Sequence, residues 1–212
     1  MQRKFRGGSG LGIGAALAIA CCVPLGVSAK TPEQPVLAPT RDVTVTYRLT
    51  GGNTAKVAEK MSITFTKQGE RVRLDYFHWV ESKTPYTSLV FDRPANRDIA
   101  IMEERRGYVE RDTVGLANPA SYLNKSMQFT RLGTVTVAGT ACTDWRVKAE
   151  EKASDGRTVC VTEDGVLLRL VAAPPGDQAL TATEVSYGSP PDSIFEAPAD
   201  FTRLKQRTPQ QR

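Results

Sequence analysis

Four cysteines, a single histidine and a few adjacent carboxylates are the side chains of this 212-residue chain that could carry covalent, metal or acid–base chemistry. Cys142 and Cys160 close a loop of nearly twenty residues. In an oxidising compartment their simplest fate is one disulfide, worth roughly 3 kcal/mol in the chain-entropy view. A metal held by the same two thiolates would need further ligands, and His78 is the only histidine. Hydrolysis by a serine nucleophile needs a histidine with an orienting partner. His78 stands beside Trp79 near a strand end, and no Gly-x-Ser-x-Gly elbow is present. Glu103 and Glu104 are neighbours that a strand would send to opposite faces, so they read as a solvated turn rather than an acid–base pair. Gly51-Gly52-Asn53 reads as a turn and not as a phosphate cradle. Asn124-Lys125-Ser126 fits a glycosylation sequon. No catalytic residue, metal ligand or cofactor site emerges, and the chain is expected not to be an enzyme.

The elements around these residues are mostly strands. Val43, Val45, Tyr47 and Leu49 alternate with polar residues, as do Met61, Ile63, Phe65 and then Val72, Leu74, Tyr76. Leu89-Phe91, Ile99-Ile101 and Tyr108-Val109 mark three more strands, with turn chemistry at 92–96 and 106–107. Asn118-Pro119 reads as a helix start, with Tyr122, Leu123 and Met127 on one face of a short helix. Strands resume through Val135, Trp145, Val159 and Leu180, and Asp164-Gly165 suits a two-residue type I′ hairpin turn. The pattern predicts a mainly β domain, a curved antiparallel sheet of about eleven strands with one or two short helices.

The ends differ from the middle. Residues 1–29 read as a secretory signal: Arg3, Lys4 and Arg6, an apolar run from Leu11, then Val27-Ser28-Ala29 before cleavage. Acylation at Cys21 is the alternative mature start, because a lipobox-like Leu17-Ala18-Ile19-Ala20 precedes it. Residues 30–40 hold three prolines and read as a mobile linker, residues 41–202 as the folded domain, and residues 203–212 as a disordered basic tail. The chain's positive charge belongs to these ends, because residues 30–200 carry 21 basic against 23 acidic side chains. A nucleic-acid footprint on the folded domain is therefore not expected.

Three stretches stand out: Ser88-Leu89-Val90-Phe91-Asp92-Arg93 with its return through Asp98-Ile99-Ala100-Ile101-Met102, the segment from Gly133 to Gly165, and the ending Pro191–Phe201 with its Phe-x-x-Pro. Together they resemble the periplasmic lipoprotein-carrier superfamily, the LolA-like half-barrels. The resemblance implies an incomplete barrel whose apolar interior receives acyl chains. The long N-terminal amphipathic helix of the true carriers has no counterpart, since residues 41–50 read as a strand. The expected function is binding of an apolar or acyl-bearing ligand in the periplasm or outside the cell, by a monomer. Tyr47, Phe65, Leu74, Tyr76, Phe91 and Ile101 are the expected lining. The alternative is an envelope protein-interaction or stress-sensing module built on the same fold.

Overall fold

A computed structural model describes residues 33–66, 69–112, 123–148, 157–171 and 179–205. Within them, period-two alternation becomes twelve strands of one open sheet. They are β1 (Val43–Thr50), β2 (Lys60–Phe65), β3 (Arg71–Phe77), β4 (Thr87–Asp92), β5 (Arg97–Met102) and β6 (Gly107–Asp112). Then come β7 (Gln128–Val137), β8 (Thr140–Lys148), β9 (Arg157–Val161), β10 (Leu167–Val171), β11 (Ala179–Tyr187) and the short β12 (Thr202–Arg203). The order is β12-β6-β5-β4-β3-β2-β1-β11-β10-β9-β8-β7, antiparallel throughout except where β12 joins β6. Consecutive hairpins account for both halves, and β1 pairing with β11 joins them.

The sheet is strongly curved and does not close into a barrel. Register shifts occur at Thr46/Tyr47, Arg131/Gly133 and Leu167/Arg169, all in the β1/β11–β7 half. A bulge bends its strand and increases the local twist. That half curls until β7 lies close to β11, although β8, β9 and β10 stand between them in the sheet order. The β2–β6 half keeps regular registers.

Curling turns the apolar face on itself. Val43, Val45, Tyr47 and Leu49 of β1 meet Met61, Ile63, Val72 and Leu74 from one side and Trp145, Val159, Leu168, Leu170 and Leu180 from the other. The outer face of β4 and β5 carries a second, smaller cluster, where Phe195 covers Val90, Ile99 and Ile101. The segment that brings Phe195 there is fastened by arginines. Arg71 Nη2 donates to Asp192 at 2.6 Å, Arg73 Nη1 to the Ile194 carbonyl at 2.7 Å, and Arg97 Nη2 to Glu196 at 2.9 Å.

Several expectations change. Among the described residues there is no α-helix, and 3-10 turns lie at Thr54–Lys56, Glu103–Arg105 and Asp192–Phe195. The expected Asn118 helix start lies outside the described residues, and residues 123–127 are loop and turn rather than helix. There the Asn124 side chain accepts from the Ser126 amide at 3.0 Å, a local bond that competes with helical pairing. The type I′ signature, positive φ at both central residues, falls on Ala138-Gly139 between β7 and β8. Of Asp164-Gly165 only the glycine has positive φ, and the connection from β9 to β10 spans residues 162–166.

From residue 33 onward the proline-rich stretch packs against the sheet. Pro35 and Pro39 are buried, Leu37 packs on the main core, and Thr40 N donates to the Asp164 carbonyl at 2.9 Å. The disulfide joins Cys142 and Cys160 with Cα atoms 5.5 Å apart. The ladder sets Cys160 opposite Asp144, so the bridge is diagonal rather than directly cross-strand.

Gly165 makes the docking possible. A Cβ there would sit 2.2 Å from the Ala38 carbonyl oxygen, on a residue at φ +87°. Gly165→Ala is expected to lift residues 35–40 off the β9–β10 turn and cost on the order of 2 kcal/mol. Urea unfolding with hydrogen exchange of the Thr40 amide checks this, and unchanged protection would contradict it.

Candidate functional site

The six residues expected to line a cavity do not form one surface. Tyr47 and Leu74 lie in the main core at 1% exposure each, and Phe65 is nearly as enclosed at 9%. The Tyr47 hydroxyl donates to the Leu167 carbonyl at 2.6 Å, so its polar atom is satisfied inside the sheet. Tyr76 and Phe91 are half-buried and pack against that core. Ile101 is the correction: it stands opposite Ser88 and packs under Phe195 on the outer face. The physical reason is parity. In the ladder Leu89 faces Ala100, which sends Ile99 and Ile101 to the other side of the sheet from Leu89 and Phe91.

Hollows lined by described residues lie in both halves of the sheet. The first, about 150 Å³, opens over β4–β6, floored by Leu89, Phe91, Ala100 and Val109. Its charged end is Asp98, 4% exposed, with Arg111 Nε 3.6 Å from Asp98 Oδ2.

The second hollow, about 520 Å³, lies between β7, β8, the β9–β10 turn, the start of β1 and the end of β11. Asp164 organises its wall. Arg41 grips Asp164 Oδ2 through Nε at 3.0 Å and Nη2 at 2.7 Å, while the Thr162 hydroxyl donates to Oδ1 at 2.5 Å. The Tyr187 hydroxyl reaches Oδ1 at 3.3 Å, and the Arg41 guanidinium lies 4.0 Å over the Tyr187 ring. Burial works to raise the Asp164 carboxyl, but the hydrogen bonds from Thr162, Arg41 and Tyr187 outweigh it and hold it below its usual range. The Arg41 guanidinium is raised by its hydrogen bond to Asp164. The Tyr187 phenol is raised, first by burial and then by the neighbouring Asp164 charge.

Sequence reasoning missed this cluster because 123 residues separate Arg41 from Asp164. Asp164 is legible only as a turn residue. His78 stacks on Tyr86 with ring centroids 4.0 Å apart, and its Nδ1 lies 2.9 Å from the Val57 carbonyl. Glu104 approaches its Nε2 at 3.7 Å. Glu103 and Glu104 themselves belong to the turn that caps the β5–β6 connection.

No family model matches the chain, and no curated protein matches it. Among solved structures, an uncharacterised conserved protein from Thermus thermophilus shares the fold, at TM-score 0.52 and 12% identity over 79% of this chain and 91% of that one. MucB in complex with periplasmic MucA scores 0.49 at 14% identity, over 78% of this chain and 57% of MucB. A putative outer membrane lipoprotein-sorting protein domain from Vibrio parahaemolyticus scores 0.20 at 9% identity, over 73% of this chain and 89% of that one.

A carboxylate held low in the folded state stabilises the fold above its unfolded value, about 4, and loses that contribution as pH falls through the folded value. Asp164→Asn should therefore be less stable than the parent at pH 7, with the difference shrinking as the medium is acidified below about pH 4. Urea unfolding across that range tests it, and a constant difference at every pH would contradict it.

Proposed function

We propose that this chain is an exported, non-enzymatic binding module of the LolA-like kind, which docks an envelope protein by accepting an apolar anchor side chain on the β4–β6 part of its inner face. One observation carries the reading. Over β1–β3 and β8–β11 the inner face is filled by the protein's own side chains, with Tyr47, Met61, Ile63, Leu74, Leu168 and Leu180 at 1% exposure or less. The apolar hollow over Leu89, Phe91, Ala100 and Val109, at about 150 Å³, is smaller than the roughly 300–1,000 Å³ typical of pockets that enclose a whole small ligand. It suits a single buried side chain, the kind of anchor that dominates protein interfaces. Export is supported by the signal-like residues 1–29 and by the Cys142–Cys160 bridge, which belongs to an oxidising compartment.

An acyl-bearing ligand is the second reading, favoured by the half-buried Tyr76 and Phe91 packed along the edge of the main core. A hydrocarbon terminus entering the hollow would gain about 0.8 kcal/mol per buried methylene.

One experiment separates the two. A photo-crosslinking benzoylphenylalanine at position 111, on the hollow's rim, is placed in the full chain and expressed in its native envelope. A discrete protein adduct is expected, and Ala100→Trp, which fills the hollow, should lower its yield about tenfold or more. Stoichiometric lipid in an organic extract of the purified protein, with no protein adduct, would overturn the docking reading in favour of the acyl one. Neither adduct nor lipid would overturn both.

A further inference from the structure

The larger hollow beside the disulfide has a chemistry that the docking reading does not use. Its lining holds two guanidinium and two carboxylate groups, Arg41 and Arg131 against Glu163 and Asp164. Arg41 and Asp164 neutralise each other through their two-point contact. Arg131 and Glu163 are exposed, one donor group and one acceptor group of opposite charge. An anion entering this space would meet both carboxylates, and a cation would meet both arginines. The charge set therefore suits a ligand that is uncharged and still rich in hydrogen-bonding groups.

The remaining polar lining has that character. Thr134 on β7 faces Thr143 on β8 across the ladder, and both line the hollow. A threonine hydroxyl both donates and accepts, as each hydroxyl of a sugar does. The guanidinium of Arg131 offers paired donors and the Glu163 carboxylate paired acceptors, the complement of two adjacent sugar hydroxyls.

The opposite wall is tied together by hydrogen bonds. Thr162 donates to Asp164 and accepts from the Val166 amide at 2.9 Å, and Tyr187 is held by Asp164 and Arg41, while on the β8 side Cys142 is bonded to Cys160. A site whose walls are already fixed loses little freedom on binding. At about 520 Å³ the space falls within the size range of pockets that hold small ligands.

We infer that this hollow is a binding site for an uncharged saccharide of one or two rings, held between the threonine hydroxyls of β7–β8 and the Arg41–Asp164–Tyr187 wall. It is separate from the apolar hollow over β4–β6, so the two sites stand or fall independently.

The test is a ¹H–¹⁵N NMR titration of the disulfide-bonded protein with maltose, cellobiose and N,N′-diacetylchitobiose, with inorganic phosphate as the charged control. The site predicts saturable shifts with at least one saccharide, centred on the amides of residues 131–143, 162–164 and 187. Thr134→Val and Thr143→Val remove one hydroxyl each while keeping a β-branched strand residue, so the fold is retained. Each should weaken saccharide binding about tenfold, whereas Ala100→Trp in the other hollow should leave it unchanged. Saturable shifts with phosphate at these amides and none with any saccharide would overturn the assignment. So would a full titration in which no saccharide moves them, or valine variants that bind as tightly as the parent.

Discussion

A β-sheet with one apolar face must bury that face against a second layer, and among the described residues no α-helix supplies it. The second layer is the sheet itself. Row by row, Leu49, Leu180, Leu170, Val159 and Trp145 share one face across β1, β11, β10, β9 and β8. Bending that row inward brings Trp145 and Val159 into one core with Ile63 and Leu74. The three register shifts lie in this half, where the bend is needed, and the regular half leaves its far strands open. The fold thus divides its inner face between a sealed part that stabilises it and a shallow apolar part over β4–β6.

The regular half then needs support from outside. Its outer face presents Val90, Ile99 and Ile101, and the 191–201 segment covers them with Phe195 at 0% exposure. Arginines on β3 and β5 hold the segment by charge-assisted contacts, and Arg71 also lies 4.7 Å over the Phe195 ring. At the other end residues 35–40 cover the β9–β10 turn through Arg41 and Asp164. Both chain-terminal segments of the described domain are therefore packed against the sheet they follow or precede. Arg41, just before β1, contacts Asp164 of that turn, and together with Tyr187 they line the polar hollow that β7 and β8 also border.

Much of this architecture is legible in the residues. Alternation locates the strands because one face of each is buried, and the diagonal cysteine pair lies where the β8–β9 hairpin requires it. The tight turn forms at Ala138-Gly139, while that geometry is expected at Asp164-Gly165. Propensity favours Asp there, but the Asp164 side chain is engaged by Thr162 and Arg41 in a wider turn. The face assignment fails at Ile101 because β4 and β5 bury Val90, Ile99 and Ile101 on their outer face, under Phe195, so hydrophobicity no longer marks the inside. In the 33–40 stretch proline content signals an extended chain and cannot show what that chain lies against. The Arg41–Asp164–Tyr187 cluster has no local signal, since only the β1–β11 pairing and the turn beside it bring the three together.

Self-filling of the bent inner face is the claim on which the functional reading rests. Xenon enters dry apolar cavities and leaves packed cores empty, so a crystal of the protein pressurised with xenon tests it directly. No xenon is expected between β1–β3 and β8–β11, with any bound atom confined to the space over Leu89 and Val109. A well-occupied xenon site beside Tyr47 and Leu74 would contradict the account.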